Sequence, residues 1–65
     1  MTLQDDLLKE LKILYVEDDP NTAEELGRFL KRRAGRVYMA SDGQEALDLF
    51  FRDPPDIIIA DLFLP

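Results

Sequence analysis

"ILYVEDDP", residues 13–20, runs four apolar residues straight into Glu17, Asp18 and Asp19, and then into a proline. An unbroken β-branched and aromatic run reads as a strand covered on both faces, the pattern of a parallel sheet with helices above and below. The strand is expected over 12–16. Three like charges at its tip are either a solvated loop or the place where something positive sits. Asp19 before Pro20 reads as a helix N-cap followed by a proline in the first turn. Glu17 and Asp18 are left without such a role.

Working outward, the spacing predicts a helix over 20–33, with Ala23, Leu26, Leu30 and Ala34 as its apolar stripe and Gly35 as its stop. "RVYMA", 36–40, is shorter and more mixed and suits an edge strand. Ser41-Asp42-Gly43 turns the chain into a second helix, 43–52. Ser41 with Gln44, or Asp42 with Glu45, offers a capping box. Ala46, Leu47 and Phe50 are its expected inner face. Asp53-Pro54-Pro55 breaks that helix. "DIIIAD", 56–61, is a third apolar strand and again ends on an acid. Residues 1–11, with leucines at 3, 7, 8 and 11, read as a short N-terminal helical extension. The order β-α-β-α-β, with helices of roughly 10–14 residues, is that of an α/β fold with parallel strands.

The bulk numbers bound the function. The chain has 65 residues, hence one small domain. It has no cysteine and no histidine, which excludes disulfides, thiolate metal sites and a histidine base. A net charge of −6 argues against a nucleic-acid-gripping face and suits cations or basic partners. No signal peptide or membrane-length apolar run is apparent, so a cytoplasmic location is expected.

In open α/β sheets, ligands bind beyond the carboxyl ends of the strands. Glu17 and Asp18 leave the first strand and Asp61 leaves the third. If those strands are neighbours, with the second strand outside the first, the three carboxylates meet at one edge. Two unit charges about 5 Å apart repel by roughly 3 kcal/mol at an effective dielectric near 20, so such a cluster calls for a cation. Oxygen donors without nitrogen or sulfur suit Mg²⁺, or Mn²⁺ in its place. A carboxylate beside such an ion can attack phosphorus. Asp61, alone at its strand end, is the better nucleophile. Asp18 is the better direct metal ligand, with Glu17 reaching through water and the backbone carbonyl of Phe63 adding an oxygen. Asp42 reads as a turn acid, and Asp56 as a strand opener.

Three blocks in order, "ILYVEDDP", "ASDGQEALDLF" and "PDIIIADLFLP", resemble the N-terminal half of a response-regulator receiver domain from two-component signalling. The resemblance covers 12–65, read as a partial receiver domain. It implies a truncated flavodoxin-like sheet with strand order 2-1-3. It implies that Asp61 is the phosphoacceptor, loaded from the histidine of a partner kinase or phosphotransfer protein, with Asp18 and Glu17 serving Mg²⁺. It also implies a phosphoacceptor module and not an enzyme in its own right. A receiver is about twice as long, and the Ser/Thr of its fourth strand, the Lys of its fifth and its switching aromatic have no counterpart in 12–65. The alternative is therefore a fragment without phosphotransfer, self-associating through the third-strand edge and at most binding a divalent metal. Haloacid-dehalogenase and toprim patterns need Asp-x-Asp, which neither "EDDP" nor "ADLF" supplies. A flavodoxin's phosphate loop is absent as well.

Overall fold

A computed structural model describes residues 9–61, with Asp61 described by its backbone alone. The elements are β1 (Lys12–Glu17), α1 (Pro20–Arg33), β2 (Arg36–Ala40), α2 (Gly43–Arg52) and β3 (Ile57–Asp61). They form the expected α/β unit, one parallel sheet in the order β2-β1-β3.

The central position of β1 follows from its composition. Ile13, Leu14, Tyr15 and Val16 are all buried, which is what an apolar run without polar alternation requires. Side chains alternate across the pleat. Leu14, Val16 and Ala40 pack with Tyr38, Ala46, Leu49 and Phe50 on the α2 face. On the other face Gly27 of α1 lies against Met39, so closely that a Cβ would stand 2.8 Å from the methionine methyl. The sheet therefore carries one helix on each face.

Two inner faces differ from expectation. In α1 the buried position is Gly27, flanked by half-buried Ala23, Leu30 and Ala34, while Leu26 lies exposed on the rim. The small residue lets the helix settle on Met39 and turns the stripe by one position. In α2 Leu49 joins Ala46 and Phe50, whereas Leu47 is 52% exposed. This face continues past the helix to Asp53.

The caps explain where the helices start. The Asp19 carboxylate accepts from the Asn21 N–H at 3.4 Å and from the Thr22 hydroxyl at 2.7 Å, with Pro20 at the first helical position. Asp42 accepts from the Glu45 N–H at 2.8 Å, which selects the second of the two capping boxes. The return bond goes one residue further back: Glu45 Oε1 accepts from the Ser41 N–H at 2.7 Å.

Gly35 follows the helix as expected, for another reason. It has no positive φ. The chain instead presses against residues 9–11: the N–H groups of Gly35 and Arg36 both donate to the Leu11 carbonyl, at 3.0 and 3.2 Å, and a Cβ on Gly35 would collide with the Lys9 carbonyl.

At the amino end of the sheet, Asp53 gathers a network absent from the sequence reading. Its carboxylate accepts from the Tyr38 hydroxyl and from Lys12 Nζ at 2.9 Å, with Arg36 4.0 Å away. The Tyr38 and Lys12 bonds hold the Asp53 carboxyl below its ordinary range. Reciprocally, the Asp53 bond pushes Tyr38 and Lys12 up. Nearby, the Lys12 N–H donates to the Asp56 carboxylate and the Asp56 N–H to the Lys12 carbonyl, both at 2.8 Å, so Asp56 stands just before β3.

The proposed N-terminal helix falls mainly on residues 1–8, outside the described residues; Lys9 and Glu10 form a turn. Among the described residues, no helix is long and apolar enough to cross a membrane.

Candidate functional site at the carboxyl end of the sheet

The parallel pairing of β1 with β3 runs from Ile13↔Ile57 to Glu17↔Asp61. Glu17 and Asp61 are thus register partners on adjacent strands, whose backbones lie about 4.8 Å apart in such sheets. The neighbour relationship assumed for the acidic edge is present, and β2 lies on the far side of β1.

β1 runs one residue further than expected and ends on Glu17 itself, a buried carboxylate at 6% exposure. Both its oxygens are engaged. Oε1 accepts from the Tyr15 hydroxyl at 3.1 Å, and Oε2 accepts from the Asp19 N–H at 3.1 Å. Asp18 is exposed, at the start of the β1–α1 turn. Asp19 serves as the cap it was expected to be, and its Thr22 bond holds its carboxyl below the ordinary range. Asp42 likewise serves as a cap, that of α2.

The Asp61 side chain and Phe63 lie outside the described residues. Among the described residues, no group of three potential ligands meets the geometry of a metal centre. The donor chemistry fits Mg²⁺ nonetheless. Glu17 and Asp18 are hard oxygen donors, adjacent in sequence at a strand end, and one of the two is open to solvent.

Tyr15 went unremarked in the sequence. The signal was available: a strand alternates with period two, so a tyrosine two positions before Glu17 shares its face.

The model of the response regulator receiver domain family matches residues 13–65, which span β1, both helices, β3 and its acidic end. The chain belongs to this family. It is also similar to the response regulator MprA of Mycolicibacterium vanbaalenii, at 42% identity over 55 residues. That match covers 85% of this chain and 24% of the relative, so the chain spans about a quarter of the relative's length. No solved structure matched. Receivers belong to two-component signalling, and their sheet is the flavodoxin-like one whose 2-1-3 portion is seen here.

Proposed function

We propose that the chain is the phosphoacceptor part of a cytoplasmic two-component phosphorelay, with residues 12–65 as a partial receiver and 1–11 as an extension. Asp61 takes the phosphoryl group, and Asp18 and Glu17 hold Mg²⁺ or Mn²⁺ beside it, with the Phe63 carbonyl as a further oxygen. The observation that carries this reading is the Glu17↔Asp61 register at the carboxyl end of the sheet.

A carboxylate oxygen of Asp61 attacks phosphorus, and the P–N bond to the donor's histidine breaks. The imidazole leaves with the electron pair and is protonated. The chain keeps an acyl phosphate. A divalent ion, when bound, offsets charge on the phosphoryl oxygens. The donor is a histidine kinase or a phosphotransfer protein; this chain has no histidine to supply.

Incubation with acetyl phosphate and Mg²⁺, followed by intact-mass measurement, tests the assignment. One phosphoryl group is expected on the chain and none on Asp61→Asn. No adduct, or an adduct that persists in that variant, rejects Asp61 as acceptor.

A second reading is self-association through the β3 edge, with the acids at most binding a divalent ion. Apolar surface beside that edge supports it: Phe51 is 76% exposed, and Ile58 and Leu47 lie open near it. Light scattering tests this second reading: a well-folded monomer at micromolar concentration contradicts it.

A further inference from the structure

The Tyr15 phenol is fully buried, yet it carries a polar group to the acidic edge of the sheet, 3.1 Å from Glu17 Oε1. Glu17 has one more methylene than aspartate and hence one more rotatable bond. A glutamate at a strand tip samples many rotamers unless something holds it. Here both oxygens are held. The Tyr15 hydroxyl holds one and the Asp19 amide the other, and Asp19 is itself fixed as the cap of α1. The phenol is a rigid donor, with two side-chain torsions and a ring locked in the sheet face at the register level of Met39 and Ile59.

We propose that Tyr15 is a positioning residue for the acidic site: its buried hydroxyl holds the Glu17 carboxylate in the orientation in which that site takes up a divalent cation. The inference rests on the metal-site reading given above. It adds that the longer acid at position 17 and the tyrosine at position 15 act as a pair. The tyrosine never touches the ion. A hydroxyl present only to satisfy a buried ring would affect folding and not affinity.

A four-member cycle on the chain separates these roles: the unsubstituted protein, Tyr15→Phe, Glu17→Asp and the double variant. Mg²⁺ affinity is measured by calorimetry, and the urea midpoint is measured in metal-free buffer. Tyr15→Phe keeps the ring and its packing. It is expected to weaken Mg²⁺ by about tenfold, the loss typical when a ligand loses the group that orients it. In the Glu17→Asp background the acceptor is drawn back by a methylene, so the same substitution is expected to change affinity less than about twofold. An unchanged affinity in Tyr15→Phe overturns the proposal. So does an equal loss in both backgrounds, accompanied by a lowered metal-free midpoint, because the hydroxyl then acts through the fold. An unsubstituted chain that takes up no Mg²⁺ overturns the metal-site reading itself, and this proposal with it.

Discussion

Glu17 and Asp61 occupy one rung of the parallel ladder between β1 and β3. Two acids from strands some forty residues apart in sequence are thereby brought to the same level of the sheet. Glu17 is buried there, and the hydrogen bonds from Tyr15 and Asp19 are what a carboxylate kept from water requires.

Asp18 is exposed and lies between β1 and α1, outside both elements. Asp18→Asn is therefore predicted to leave the urea midpoint nearly unchanged while lowering Mg²⁺ affinity by at least about tenfold. Calorimetric titration alongside urea unfolding checks both. Equal affinity in the variant removes Asp18 from the metal site.

The Asp53 network predicts an acid-side loss of stability. The folded carboxyl is held below its ordinary value, chiefly by the Tyr38 hydroxyl and then by Lys12. A depressed carboxyl contributes stability that is complete above its unfolded value, about 3.9, and is lost as pH falls through the lower folded value. Urea midpoints for the protein and Asp53→Asn should differ at neutral pH and converge below about pH 4. A constant difference across that range contradicts the network.

Gly35 and Gly43 make a matched pair. A Cβ on Gly35 meets backbone carbonyls that have little room to move, whereas one on Gly43 meets nothing within 4 Å. Gly35→Ala is predicted to cost roughly 1–3 kcal/mol through overpacking. Gly43→Ala, at the first position of α2, is predicted to be neutral or to stabilise by up to about 1 kcal/mol. Denaturant unfolding of the two variants provides the comparison.

If the chain self-associates through the β3 side, the exposed Phe51 ring is the largest apolar group available to the contact. Phe51→Ser should then shift light-scattering mass towards the monomer without lowering helix content. A mass independent of that substitution places the contact elsewhere.

The strands and helices were legible in the sequence because each boundary carries its own chemistry. Asp19-Pro20 starts α1, Asp42 starts α2, and the apolar runs at 13–16 and 57–59 are short and rich in β-branched residues, as strands are, although only the first is covered on both faces. That the tips of β1 and β3 are neighbours was legible too, although that step leaned on the family resemblance as well as on spacing. The rest depended on contacts between distant residues. Nothing local shows that Gly27 would displace Leu26 from the inner stripe, because the reason is Met39 on another strand. Nothing local joins Lys12, Tyr38 and Asp53, which meet only when the sheet forms. Leu47 looked like core because it is apolar at helical spacing; the face that packs keeps the expected Ala46 and Phe50 and has Leu49 in place of Leu47.

The central claim is that the tips of β1 and β3 form a single divalent-cation site, and Mn²⁺ tests it most directly. Paramagnetic broadening of amide signals, followed through a Mn²⁺ titration of the isotopically labelled chain, reports which backbone positions lie nearest the ion. The account predicts that Glu17, Asp18, Ala60 and Asp61 broaden first and together. Broadening that begins instead at Glu24 and Glu25, or at Asp42 and Asp48, while the two strand tips stay sharp, would contradict it.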